Sequence, residues 1–160
     1  MLVVDVVKIS VIVPIYNVRL YIERCVRSLM EQTLENIEFI FVNDCTPDDS
    51  MDILHHVLKE YPKRRKQIKI IEHETNRGIS AVRNTGLKNA TGQYIIYCDS
   101  DDWVEKNMYE KLLVKALETS ADIVGCDFFD DYIAHSTIRK QLFPQQSEKC
   151  VKKMLRGELH

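Results

Sequence analysis

Residues 68–102, IKIIEHETNRGISAVRNTGLKNATGQYIIYCDSDD, carry a strand pattern, a helix pattern and a second strand pattern in one run, and end on three carboxylates. Residues 68–71 read as a strand, 78–88 as a helix opened by Gly78, and 89–92 as the turn into a strand over 94–98. The same alternation extends upstream. A β-branched run over residues 9–13 is closed by Pro14 and reads as a buried strand. Ile22, Cys25, Val26, Leu29 and Met30 follow at the spacing of one helix face. Residues 37–42 give another buried strand. Asp48 or Asp49 then stands where it could cap a helix whose apolar face is Ile53, Leu54, Val57, Leu58 and Tyr61. Downstream, Tyr109, Leu112, Leu113, Ala116 and Leu117 mark a fourth helix, and residues 123–129 a fifth strand. From about Tyr132 the pattern weakens, and only residues 147–155 look helical. Repeated strand–helix units predict an α/β domain: a largely parallel sheet with helices on both faces.

Ligands of such sheets bind beyond the carboxyl ends of the strands, which tells where to search. Tyr16-Asn17, Asn43-Asp44, Asn76-Arg77 and Asp99-Ser100-Asp101-Asp102 follow successive strands and should share one rim. Three carboxylates within four residues repel one another, and a hard divalent cation such as Mg²⁺ or Mn²⁺ would relieve them. On an extended segment Asp99 and Asp101 point to the same side. The plainer alternative is a solvated turn in which Asp102 caps the next helix. Asn43-Asp44 can exchange hydrogen bonds with a base or ribose, or serve only as a turn. The helix start at Asn76–Asn84, with Arg77 and Arg83, suits an anion such as a diphosphate, or is a glycine turn with solvated arginines. Tyr16 offers a ring for stacking, although a lone aromatic is more often core.

The whole-chain properties narrow the class. At 160 residues there is room for one domain with a real core and not for two full ones. A formal net charge of -2 gives no reason to expect nucleic acid. Lys63-Arg64-Arg65-Lys66 is read as a solvated loop, with contact to anionic lipid or phosphate as the other reading. Five dispersed cysteines without a C-x-x-C pair point to reduced, mostly buried thiols of a cytoplasmic protein. The apolar residues 2–7, interrupted by Asp5, are too short to cross a membrane and do not form a signal peptide.

Four segments together carry a resemblance. V-P-I-Y-N at 13–17, V-N-D at 42–44, N-R-G-I-S-A-V-R-N-T-G at 76–86 and D-S-D-D at 99–102 stand in the order and spacing of family 2 glycosyltransferases. The match covers roughly residues 9–129. The resemblance implies the GT-A fold, a Rossmann-like, mostly parallel sheet flanked by helices on both faces, and inverting sugar transfer from a nucleotide diphosphate donor. It places Pro14 and Tyr16 beside the nucleobase, lets Asp44 accept from that base, and sets Arg83 near base or diphosphate. Asp99 would approach the ribose, with Ser100 also on the donor nucleotide, and Asp101 with Asp102 would serve a Mn²⁺ or Mg²⁺ ion.

Two departures from the family pattern bear on function. The second motif usually has two acidic residues followed by Gly-Ser, whereas here it reads Asn43-Asp44-Cys45-Thr46. Asp44 alone must then do the acidic work, and Cys45 makes the turn less permissive than glycine would. No segment matches the family's general base, so the catalytic residue is unassigned and expected beyond residue 160. Residues 8–131 are accordingly expected to form the nucleotide-sugar-binding domain. Residues 132–160 would begin the acceptor side of a truncated chain that is inactive alone. The expected reaction is transfer from a UDP-sugar to a glycan or lipid-linked hydroxyl in surface polysaccharide synthesis, in the cytoplasm or peripherally at the inner membrane face. The alternatives are a noncatalytic nucleotide-sugar-binding module and a nucleotidyltransferase. The latter, like a dehydrogenase, would want a glycine-rich loop after the first strand, where Pro14-Ile15-Tyr16-Asn17 stands.

Overall fold

A computed structural model of the chain describes residues 8–132 and 135–140. They divide into two compact units, with the boundary between Leu113 and Val114. In the first unit, β1 (Ile9–Ile15), α1 (Ile22–Met30), β2 (Ile37–Asn43), α2 (Ser50–Leu58), β3 (Ile68–Glu72), α3 (Ile79–Asn89) and β4 (Tyr94–Tyr97) follow in order. A fourth helix, α4 (Met108–Thr119), begins in this unit. The four strands form one parallel sheet in the order β3-β2-β1-β4. The first four expected helices and the first four expected strands are present, with ends displaced by a few residues at most.

The unbroken apolar runs of β1 and β2 follow from their central place, since both faces of each are covered. Ile9, Val11, Val13 and Ile15, with Ile37, Phe39 and Phe41, face α1 and α2. They pack there with Cys25, Leu29, Leu54, Tyr109 and Leu113. On the opposite face Ile40 and Val42 meet Val82 of α3. Pro14, a residue without an N–H, is tolerated in this central strand because of register. The backbone groups of Ile12 face β4, where Ile12 accepts from Cys98 N, and Pro14 lies two residues on, past the end of β4 at Tyr97. No ladder bond is lost there.

Gly86 sets how closely α3 approaches the sheet. A Cβ at this position would fall 2.3 Å from Ile12 Cγ2, and Ile12 is fully buried. Gly86→Ala is therefore expected to destabilise the domain by about 1–3 kcal/mol through overpacking, with the midpoint of thermal unfolding as the measurement.

Two buried polar groups inside this framework have specific partners. Glu38 lies in the apolar stretch of β2, and its Oε1 accepts from Ser10 Oγ, Thr91 N and Thr91 Oγ1. Lys69 Nζ lies 2.8 Å from its other oxygen. Burial opposes the charge, but Lys69, Ser10 and Thr91 outweigh it and hold the carboxyl down to about 2. This network pins the turn after α3 to the edge of the sheet opposite the rim. Arg64 corrects the reading of the basic run as a solvated loop. Residues Pro62–Gln67 form a 3-10 helix, and Arg64 turns inward to donate to the carbonyls of Met30, Gln32 and Leu34. It closes the carboxyl end of α1, whose last carbonyls have no partner within the helix.

In the second unit the expected fifth strand is corrected. Residues 123–127 carry no regular element. The strand is β5 (Phe128–Tyr132), which pairs antiparallel with β6 (His135–Arg139) in a two-stranded ribbon, Arg139 Nε lying 2.6 Å from Asp130. An apolar run specifies that a strand forms but not its partner, and here a short return favours an antiparallel hairpin. The helical pattern at 147–155 lies outside the described residues.

Candidate functional site at the carboxyl rim of the sheet

Because all four strands of the first unit run parallel, their following loops share one edge. Tyr16 leaves β1 47% exposed, whereas Pro14, two residues earlier, is buried opposite Val42. Asn17 and Cys45, in the first two loops, hold left-handed backbone at φ 56° and 58°. The Asn43 side chain shapes the turn, its Oδ1 accepting from Thr46 N at 2.9 Å.

Asp44 is 2% exposed and most of its acceptor capacity is engaged. Its Oδ1 accepts from the His73 ring at 2.7 Å and from Arg77 N at 2.9 Å, and its Oδ2 from Gly78 N at 2.8 Å. A carboxylate can only accept, so Nδ1 of His73 carries the proton. The far ring nitrogen, Nε2, lies 2.9 Å from Thr85 Oγ1 in α3. Burial works against the charge of Asp44, but the His73 ring and the two amides prevail and hold its carboxyl below the usual range. The anion at the mouth of α3 is thus an internal one. Gly78, at φ 81°, supplies the backbone turn that aims its amide at Asp44. His73, which had no signal in the sequence beyond its place after a strand, ties the ends of β2 and β3 to α3.

Arg83 and Asp99 are brought together: Arg83 Nη2 lies 2.9 Å and 3.3 Å from the two oxygens of Asp99. The guanidinium also lies over the Tyr97 ring at 5.4 Å. Its Nε–H is buried and without an acceptor among the described residues. Ser100 is buried, while Asp101 and Asp102 are exposed. The tetrad therefore has one charge compensated from within and two facing outward. Partial loss of solvent around its carboxyl first, then the charges of Asp101 and Asp99, push Asp102 up. Crowded carboxylates of this kind gain from a shared cation. Among the described residues no three His, Cys, Asp or Glu side chains converge as a cage. The donor set fits a hard divalent ion held by one or two carboxylates, with phosphate oxygens from a ligand completing its shell.

Other rim contacts had weaker sequence signals. Trp103, just after the tetrad, stacks under the Arg24 guanidinium of α1 at 4.2 Å. Asp48, rather than Asp49, accepts from the first amide of α2, that of Ser50, at 3.2 Å. Cys25 and Cys98 are buried thiols within 4 Å of the Asp99 carbonyl oxygen, at 3.8 Å and 3.7 Å, and Cys45 is exposed. No helix among the described residues is long and apolar enough to cross a membrane.

The first unit is thus a parallel α/β sheet whose strand ends present an exposed aromatic, a guanidinium–carboxylate pair and two outward carboxylates, an edge of the kind that takes ligands in such sheets. The chain belongs to glycosyl transferase family 2, whose model matches residues 10–158. It is 44% identical over 140 residues to the uncharacterized glycosyltransferase EpsJ of Bacillus subtilis, covering 88% of this chain and 38% of that protein. It is 45% identical over 122 residues to the glycosyltransferase GlyA of Streptococcus pneumoniae, covering 76% of this chain and 17% of the relative. The chain thus spans well under half of these relatives. Among solved structures, Staphylococcus aureus TarS 1–349 in complex with UDP superposes with a TM-score of 0.63 at 32% identity, over 72% of this chain and 33% of that one. TarS 1–349 has also been solved with UDP-GlcNAc. The fold and family expected from the four motifs are those found.

Proposed function

We propose that the chain is the donor-binding part of an inverting glycosyltransferase that takes a UDP-sugar and delivers the sugar to a hydroxyl of a glycan or lipid-linked acceptor. The carrying observation is that one sheet edge holds the exposed Tyr16 ring, the Arg83–Asp99 pair and the outward Asp101 and Asp102. Similarity to TarS, solved with UDP and UDP-GlcNAc, supports uridine as the base. Similarity to the minor teichoic acid biosynthesis protein GgaB, 42% over 106 residues, supports a cell-envelope polymer as the acceptor.

In this reading Pro14 and Tyr16 border the base, Tyr16 by stacking and Pro14 by shaping the strand end beneath it. Asp44 fixes the loop at 77–78 and has one lone pair on Oδ2 left for the base. Asp99, with Ser100 behind it, faces the ribose, and Arg83, held at 2.9 Å by Asp99, sets its guanidinium charge near the base or diphosphate. Asp101 with Asp102 would hold Mn²⁺ or Mg²⁺, which when bound offsets charge on the departing diphosphate. A carboxylate base outside these donor-side residues takes the acceptor proton. The acceptor oxygen bonds to the anomeric carbon from the face opposite the diphosphate, the bond to diphosphate breaks, and configuration inverts. Residues 8–131 are the donor domain, with the acceptor side beginning at 132. The domain works in the cytoplasm, with peripheral membrane contact through the exposed Lys63, Arg65 and Lys66.

Calorimetric titration of the chain with UDP, GDP and ADP, in Mn²⁺ and in chelator, tests class, base and metal together. UDP in Mn²⁺ is expected to bind at least roughly tenfold tighter than UDP in chelator, and tighter than the purine nucleotides. Equal binding of all three would overturn the uridine assignment, and indifference to chelator would overturn the metal.

A further inference from the structure

Three consecutive backbone amides after β1 are each held by a different side chain of one short segment. Asn17 N donates to Thr46 Oγ1 at 2.8 Å, Val18 N to Ser50 Oγ at 3.1 Å, and Arg19 N to Asp48 Oδ2 at 3.0 Å. Both hydroxyls in turn donate to Asp48 Oδ1, Thr46 at 2.7 Å and Ser50 at 2.6 Å. Every donor and acceptor in this set is therefore used in one consistent direction. Burial opposes the Asp48 charge, but the hydroxyls of Ser50 and Thr46 and the amides of Arg19 and Ser50 override it and hold the carboxyl at about 2.

The residue directly before the clamped amides is Tyr16. On its other side Ile15 is fixed in the sheet, its carbonyl accepting from Asp44 N at 3.0 Å. The chain at Asn17 turns through left-handed backbone, φ 56°, which a non-glycine residue adopts only when its surroundings impose it. Tyr16 is therefore anchored on both sides while the residue itself remains 47% exposed at the rim.

We propose that Thr46, Asp48 and Ser50 are positioning residues for the donor, a clamp that presents the Tyr16 ring as a preformed wall for the nucleobase. The proposal rests on the donor-binding reading above. None of the three side chains is assigned a contact with the donor; they act through Tyr16. A preformed wall lowers the ordering cost of binding, so loosening the clamp weakens base binding even where the fold survives.

The test is a double-mutant cycle read by UDP titration in Mn²⁺, beside hydrogen exchange of the amides of residues 17–19. Asp48→Asn is expected to weaken UDP roughly tenfold where Tyr16 is present, and less than about twofold in the Tyr16→Ala background. Thr46→Val, which removes the acceptor of a single amide, gives a smaller loss with the same non-additivity should Asp48→Asn fail to fold. Equal losses in both backgrounds would overturn the proposal, as would an unchanged affinity in a folded Asp48→Asn. Failure of the unaltered chain to bind UDP sinks the donor reading instead. The clamp is then judged by exchange: slow exchange at residues 17–19 that Asp48→Asn accelerates sustains it, and fast exchange in the unaltered chain refutes it.

Discussion

Asp44→Ala lowers the stability of the domain by about 3–5 kcal/mol, the expected result of leaving buried partners of a charged group unpaired. The His73 ring would lose its carboxylate, and the amides of Arg77 and Gly78 would lose their acceptors, all at the junction of β2, β3 and α3. Denaturant titration measures the loss. Asp44→Asn should recover part of it, because the amide carbonyl still accepts while its NH₂ faces donors it cannot satisfy. The acid limb follows from the same contacts. A carboxyl whose pKa is depressed on folding stabilises fully above its unfolded value, about 4, and the contribution is lost as pH falls through the lower folded value. Glu38 behaves alike, its contribution fading between its ordinary 4.5 and about 2. Acid unfolding of the Asp44→Ala protein should therefore begin from lower stability and show a shallower dependence on pH below about 4. A loss under about 1 kcal/mol would mean that the loop at 77–78 stands without Asp44.

Asp101→Ala removes the metal dependence of UDP binding. With an exposed carboxylate gone from the outward pair, a divalent ion has one charged ligand fewer at a site where diphosphate must supply the rest. A charge-assisted contact of this kind contributes about 1.5–3 kcal/mol, roughly 10- to 150-fold in affinity. The expected titration gives equal UDP affinities in Mn²⁺ and in chelator for the variant, against a clear difference for the unaltered chain. Because Asp101 bears no described side-chain hydrogen bond, its removal should leave the unfolding midpoint nearly unchanged, which separates this variant from Asp44→Ala. A variant that keeps the full metal response would move the ion to Asp102 and Asp99. The Arg83–Asp99 pair argues against that move, since one of those carboxylates already has a cation, at 2.9 Å.

Much of this protein was legible in one dimension. The apolar runs of β1 and β2 and the helix spacing of Ile22, Cys25, Val26, Leu29 and Met30 are short-range patterns imposed by backbone period, so they specify elements directly. Parallel strands place their following loops on one edge, so the strand pattern by itself assigns the four polar clusters to one rim. Tertiary structure decided which side chains spend their charge on each other. Asp44 finds His73 at 29 residues' separation and Gly78 at 34, and Asp48 finds the Arg19 amide at 29. Such partners depend on where neighbouring strand ends fall in space, which no local period encodes. The same is true of β5: Phe128 and Phe129 mark a strand, but its antiparallel pairing with β6 comes from the chain's return. The sequence alone determined the first four strands, the four helices between and after them, the shared rim and the family. The folded chain determined that Asp44 and Asp48 hold the rim together while Asp101 and Asp102 face out of it, because a buried carboxylate must be satisfied by whatever donors the fold brings near.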